Sequence, residues 1–392
     1  MPIFFFVSLL IIGTSRGFHL PETATVATLT CKVPERIHNV PNTRQRQSCK
    51  STPSTSASAL LCQLLGMNCA QPTDFSFSFQ GFCKRGGETD IHADGWGLAF
   101  YQNRALRQFH DDQPASQSPL AAFLVTYVIR TLNMMAHIRY ATHGKVDLAN
   151  NHPFVREWAG VQISFCHNGH IPLFIDYLEN CDALPPTLGD PYKNQTRWYN
   201  PVGTTDSEAA FCAILNALRA RYQTALPSLP ELYATLKVLC QEIVDYNPEG
   251  TIFNFLCTCG PHVLLVYSWP GRRPGSETWN GLHYTIREPP FTKCHLCDMD
   301  YTVDFEAVTN EKDRVAVVAT RPLTDDEEWI ELAPGEMILL DEGRPHVSPQ
   351  ELIQVELSGH GLNATAVAVA PELTEDLRRF QFQPEFHAGG GI

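Results

Sequence analysis

The stretch ASALLCQLLG, residues 57–66, divides the chain. The residues before it read as a leader, and the residues after it as the opening strand of a folded domain. Cys62 stands at the junction. Whether it is an interior cysteine or the first residue of the finished protein decides what the remaining chain is built to do.

Upstream, the chain begins MPIFFFVSLLIIGTSRGFHL. Residues 3–12 form an apolar run of signal-peptide length, too short to span a bilayer. Ser15 and Gly17 give a small-x-small cleavage pattern before Phe18, although no Lys or Arg precedes the run. Residues 18–61 are rich in Ser and Thr, carry five Lys/Arg against two Glu, and lack Asp, the first of which is Asp74. That bias suits a transit segment, and by composition the segment is expected to be disordered. Three readings stand: a signal plus transit segment, as for a plastid reached through the secretory route; a secretory signal with a propeptide; or a start codon placed too far upstream, which would make the protein cytoplasmic. All three put the domain start near Leu61, and none supplies a stable membrane anchor. The expected division is a signal-like segment 1–17, a leader 18–61, a domain 62–345 and a partly loose extension 346–392.

Composition narrows the function. The 392 residues are 44% hydrophobic and 18% charged, enough for a sizeable core. The net charge of −13 opposes phosphate-backbone binding. The body of the chain has no Lys/Arg run and no GxxxxGK[ST] loop, so nucleic acid is not an expected partner. Thirteen cysteines cannot all pair, and most lie in apolar runs such as AFCAIL, where cysteine is a small buried hydrophobe. Cys294, His295 and Cys297 in CHLC, with Cys257 and Cys259 in CTC, resemble half of a zinc site. The second half is not at a standard spacing, so no metal and no cofactor is expected.

Downstream of Cys62 the pattern is mixed. DGWGLAFY, NMMAHIRYAT, VQISFCHNG, TIFNFLCT, HVLLVYSW, DRVAVVAT and EMILLDEG read as strands bounded by Gly, Pro, Asn or Asp. In TDSEAAFCAILNALRARY, Phe211, Ile214, Leu215 and Leu218 recur at helical spacing, with Thr205 and Glu208 as a capping box. Leu232, Leu236, Leu239 and Ile243 mark a second helix. Strands in hairpin-like pairs predict an α+β domain with mainly antiparallel sheets. PGRRPGSETWNG, residues 270–281, reads as an exposed hairpin tip.

Four stretches carry chemistry. A cysteine attacks as thiolate and needs a base. If Cys62 were residue one, its own α-amine, with a reference pKa of roughly 7.7–8.0, could serve; taken alone, Cys62 reads rather as a buried structural cysteine at the start of a strand. CHNGHI ends the apolar strand VQISF with Asn168-Gly169, which is either a plain hairpin turn or a pair of preorganised donors for an oxyanion. HIRYATHG places Arg139 at a strand end, as a surface ion pair or a carboxylate clamp. GTTDSEA opens a helix with Asp206, as a cap or as a partner for an ammonium group.

In order and spacing, CQLLGMNCAQPTDFSFSFQGFCKRGG, DGWGLAFY, HIRYATHG, NNHPF, CHNGHI and TTDSEAAF together resemble the class II glutamine amidotransferases, in particular their short single-domain bacterial-type members. The resemblance covers about residues 62–345. It implies the four-layer αββα N-terminal-nucleophile hydrolase sandwich of two antiparallel sheets. It implies that Cys62 attacks the side-chain amide of glutamine, or of another γ-glutamyl amide, while its α-amine moves the proton. Asn168 and the Gly169 N–H would hold the oxyanion, and Arg139, with Thr142 and His143, the α-carboxylate. Asp206 would hold the α-ammonium, and water would release glutamate from the thioester. Family members usually start Met-Cys; here Leu61 precedes Cys62, so a protease must cut between them. If it does not, the chain is a catalytically silent glutamine-binding or scaffold protein. The 47 residues after 345 are too few for a synthase domain, so ammonia transfer would need a synthase partner, and γ-glutamyl breakdown a peptidase partner.

Overall fold

A computed structural model describes residues 62–141, 145–180, 184–185, 188, 198–273 and 279–347. The expected leader and C-terminal extension therefore lie outside the described residues, apart from the first residues after 345. In chain order the elements are β1 (Gln63–Asp74), α1 (Ser76–Lys84), β2 (Trp96–Gln102), β3 (Ala105–Asp111), α2 (Pro119–Thr126), β4 (Arg130–Ile138), β5 (Phe154–Trp158), β6 (Val161–His170), α3 (Pro172–Asn180), α4 (Asp206–Tyr222) and α5 (Leu229–Asp245). Next come β7 (Ile252–Cys259), β8 (Val263–Trp269), β9 (His283–Arg287), β10 (Lys293–His295), β11 (Thr302–Asp304), α6 (Phe305–Val308), β12 (Val315–Ala319), β13 (Ile330–Glu331), β14 (Glu336–Asp341) and β15 (Arg344–Val347).

One sheet has seven strands in the order β13-β9-β12-β1-β4-β2-β3, and another has six in the order β15-β14-β8-β7-β6-β5; β10 and β11 pair apart. The ladders that build both large sheets are antiparallel. Side-chain alternation shows how the layers stack, because successive residues of a strand face opposite ways. On β12, Ala316 and Val318 join the core between the sheets, while Val315, Val317 and Ala319 join a second core with Phe75, Phe79, Phe82, Ala121 and Leu124 of the α1–α2 region. On β14, Ile338 and Leu340 face the same inner core, while Met337 and Leu339 join a third core with α3, α4 and α5. Three cores separate four layers, giving an αββα sandwich. The strands read as near-continuous apolar runs because both their faces are covered.

The helices obey the spacing seen in the sequence. Phe211 of α4 stacks on Phe165 of β6 with ring centroids 5.0 Å apart and planes 5° apart, an apolar contact that makes this helix part of the core. Thr205 caps α4 by accepting from the Glu208 N–H at 3.3 Å. The reciprocal half of the expected box is replaced. The Glu208 carboxylate instead accepts from the N–H groups of Val202 (3.0 Å) and Gly203 (2.7 Å) and from Arg156 (2.6 Å). Tertiary donors outcompeted the cap, and they anchor the chain that leads into Asp206.

Candidate active site

Cys62 immediately precedes β1 and is half-buried. Gln63 pairs with Ile138, the last residue of β4, so Cys62 lies beside the chain leaving β4. Its thiol donates to the Tyr140 carbonyl at 3.6 Å, and the Tyr140 N–H donates to the sulfur at 3.4 Å. Asp94 secures that turn: the Asp94 N–H donates to the Arg139 carbonyl at 3.2 Å, and the Ala141 N–H donates to Asp94 Oδ2 at 2.7 Å.

Arg139 is buried, and its Nη2 donates to the Lys145 carbonyl at 2.9 Å. The same carbonyl accepts from Asn150 Nδ2 at 3.0 Å, and Asn150 Oδ1 accepts from the Thr204 N–H at 2.8 Å. Asn150 therefore ties the Arg139 side of the site to the start of α4. Gly203 makes the approach possible, since a Cβ there would lie 2.2 Å from Asn150 Oδ1. Asp206, the first residue of α4, is buried; its two oxygens accept from the Ile171 and Ser207 N–H groups, each at 3.0 Å. Ser207 Oγ in turn bonds His167 Nδ1 at 2.8 Å, linking α4 to β6.

Asn168 and Gly169 do not form the strand-ending turn expected from CHNGHI. β6 runs on to His170, with Asn168 opposite Asn254 and Gly169 opposite Phe253 on β7. Glycine permits this close ladder: a Cβ at Gly169 would lie 1.8 Å from the Ile252 carbonyl oxygen. The Asn168 side chain is fully buried, and neither its nitrogen nor its oxygen has a hydrogen-bond partner among the described residues. Such idle amides are rare in folded interiors. Thr142 and His143 lie outside the described residues.

Charge connects these groups. Burial pushes the Cys62 thiol up from its ordinary range; the Tyr140 N–H and the positive charges of Arg139 and Arg273 pull it back, and Asp206 raises it further. Arg273 comes from the stretch read as an exposed tip. Its Nε and Nη2 are buried without a partner among the described residues, and burial lowers its pKa against the opposing pull of Cys62, Asp206 and Tyr140. Residues 274–278 of that stretch lie outside the described residues. The structure thus brings Cys62, Arg139 and Asp206 into one electrostatic neighbourhood and adds Arg273, Asp94 and Asn150, to which the sequence motifs assign no role. Asp94 stands in DGWGLAFY and Asn150 in NNHPF, two of the stretches that carry the resemblance; Arg273 has no local signal.

The sequence profile described as "Glutamine amidotransferases class-II" matches residues 61–358. The chain belongs to the class-II glutamine amidotransferase family. An Escherichia coli relative named "Putative glutamine amidotransferase YafJ" is 37% identical over 277 residues, covering 70% of this chain and 96% of that protein. A Haemophilus influenzae protein of like designation is 36% identical over 284 residues, 72% of this chain and 85% of its own length. A crystal structure of a glutamine amidotransferase predicted from the Pseudomonas aeruginosa sequence aligns with a TM-score of 0.52 at 33% identity, covering 73% of this chain and all of that one. The αββα sandwich is accordingly the N-terminal-nucleophile hydrolase fold. This amidotransferase-family site offers a thiol, two guanidinium groups, the carboxylates of Asp206 and Asp94, and the Asn168 amide without a partner among the described residues. Among the described residues, no cluster of three or more His, Cys, Asp or Glu is placed to hold a metal, and no helix is long and apolar enough to cross a membrane.

Proposed function

We propose that the matured protein hydrolyses the γ-amide of glutamine through Cys62. The observation that carries this reading is the convergence of charges on one thiol: Arg139 and Asp206, suited to the carboxylate and ammonium of an amino acid, both act on Cys62. The chain is cut between Leu61 and Cys62, and the new α-amine takes the thiol proton. The thiolate adds to the amide carbon, and the oxyanion is held by the Asn168 amide and the Gly169 N–H. The C–N bond breaks, and the α-ammonium returns the proton to the departing ammonia. Water then adds to the thioester, the C–S bond breaks, and glutamate leaves. Arg139 and Asp206 orient the substrate throughout, with Thr142 and His143 on the carboxylate side.

The cut is essential. While Leu61 remains attached, the residue-62 nitrogen is an amide with no basicity, and burial holds the thiol protonated. That raised thiol favours the silent, glutamine-binding reading for any unprocessed molecule. The leader is read as the address and mask of the enzyme, and an ammonia-accepting synthase or a peptidase as its partner.

The test is the N-terminus of the protein purified from its native cells, read by mass spectrometry, followed by labelling with a thiol-alkylating glutamine analogue. The expected result is a chain starting at Cys62 and labelled there. An N-terminus upstream of Cys62, or a correctly processed chain that resists labelling, would overturn the hydrolytic reading.

A further inference from the structure

Arg273 lies four residues past the end of β8, on a loop whose base is firmly built. Gly271 and Asn280 exchange two backbone hydrogen bonds of 3.0 and 2.9 Å. The Asn280 carbonyl also accepts from Asn254 Nδ2 at 3.3 Å, and the same amide reaches the Asn168 carbonyl at 3.4 Å. Asn254 is fully buried and accepts from Ser268 Oγ at 2.9 Å. The loop is thus tied through one side chain to the strand that presents Asn168.

Buried guanidinium donors without acceptors are costly, and a buried arginine elsewhere in the described fold shows them satisfied. Arg85 spends its donors on Asp298 (2.7 Å) and on the carbonyls of Arg321 and Pro322 (2.9 and 2.5 Å). Asp206, whose charge Arg273 feels, accepts from two backbone N–H groups but makes no hydrogen bond with Nε or Nη2 of Arg273. The idle donors of Arg273 therefore await an acceptor that arrives with a ligand.

We propose that Arg273 is a specificity-determining residue, a second guanidinium beside Arg139 for the α-carboxylate of the amino-acid substrate. This rests on the γ-amide reading above. Asp206 marks the amino-acid end of the pocket, because an α-ammonium is the group it suits. The α-carboxylate sits on the same carbon, within the neighbourhood shared by Asp206 and Arg273. Its two oxygens offer enough lone pairs for two guanidinium partners. The oxyanion does not need Arg273, having the Asn168 amide and Gly169.

The experiment compares the matured protein with Arg273→Met and Arg273→Lys variants. It reads glutamate binding by calorimetry and hydrolysis of glutamine against its α-carboxamide, which lacks the carboxylate. Arg273→Met is expected to weaken glutamate binding and raise the glutamine KM by about ten- to a hundred-fold, with kcat little changed. The preference for glutamine over the α-carboxamide should fall by the same factor, and Arg273→Lys should restore part of it. A lowered kcat with KM intact, or a shifted pH profile of thiol alkylation with the preference unchanged, would reassign Arg273 to the thiol and overturn the proposal. So would a loss confined to γ-glutamylglycine, whose extra carboxylate lies on the leaving side. Wild-type protein that binds glutamate but cleaves no amide would defeat the hydrolytic reading alone. Intact hydrolysis with unchanged preference in Arg273→Met would defeat this inference alone.

Discussion

Two arginines with buried donor atoms show opposite habits. Arg287, on the helix-covered face of the seven-stranded sheet, donates through Nε and Nη2 to both oxygens of Glu327 at 2.8 and 2.7 Å, and through Nη1 to Ser78 at 3.1 Å. Arg273, whose charge acts on Cys62, leaves Nε and Nη2 without acceptors among the described residues. Two buried asparagines show the same contrast: Asn254 spends its amide on backbone carbonyls, while both polar atoms of Asn168 are without a partner among the described residues. Arg287 and Asn254 spend their polar groups on the fold. Near Cys62, Arg273 and Asn168 leave theirs without partners among the described residues. Stability and activity should therefore separate by region.

The largest separation is expected at the thiol. Cys62→Ala in the matured protein should lower amide hydrolysis by about 10⁴-fold or more, read in an ammonia-release assay, with the melting temperature almost unchanged. In the other region, Arg287→Met leaves Glu327 buried and unpaired. That should cost about 3–5 kcal/mol by chemical denaturation, while the kcat/KM of the folded fraction stays at the wild-type level. Pairing it with Glu327→Leu should recover most of the loss, since an apolar pair of similar volume strands no charge. A fall in kcat/KM for the folded single variant would break the separation.

Asn168→Ala tests the site side again. The expected drop in kcat is about 10²–10³-fold, with stability changed by no more than about 1 kcal/mol, because the amide has no protein partner among the described residues to lose. A large destabilisation would show that Asn168 belongs with the completed polar groups.

The smallest expected effect is a pH dependence beneath the site. Burial drives His167 down to about 4, against the raising influence of Asp206 and the Ile252 carbonyl and with the lowering influence of His170 and Arg273. His137 and His152, their rings 4.1 Å apart, are also held well below their ordinary range by burial. A histidine kept neutral in the fold but free to charge when unfolded makes the unfolded state bind more protons. Its contribution is complete above about pH 6.5 and is lost as pH falls from there towards about 4, on the order of 3 kcal/mol for His167. Urea midpoints measured across that interval should fall with acid, and His167→Asn should flatten the slope. An unchanged slope would place the acid sensitivity elsewhere.

Much of this molecule was legible along the chain. Many strands of the two sheets are legible as short apolar runs bounded by Gly, Pro, Asn or Asp, and the long helices α4 and α5 as apolar residues at a period of 3.6; such patterns depend only on local geometry. Cys62, Arg139, Asp206 and the Asn168-Gly169 pair each also read singly as structural residues, and it is their order and spacing together that carry the resemblance. The short helix α1, SFSFQGFCK, gave no such signal. Its aromatic residues and internal glycine are poor helix formers, and packing holds it.

What the chain order did not show is where the long-range partners go. CHNGHI suggested a turn, yet β6 continues because the Ile252 carbonyl, more than eighty residues later, closes against Gly169. Glu208 completed a capping pattern in the sequence, yet Arg156 and two loop N–H groups took its carboxylate. PGRRPGSETWNG had the composition of a solvent-exposed tip, yet the pairing of Gly271 with Asn280 and their link to Asn254 place Arg273 within the field of the thiol. Periodicity and turn chemistry are properties of a few consecutive residues. The partner of a buried donor is a property of the packed sheets, and only the tertiary structure decides it.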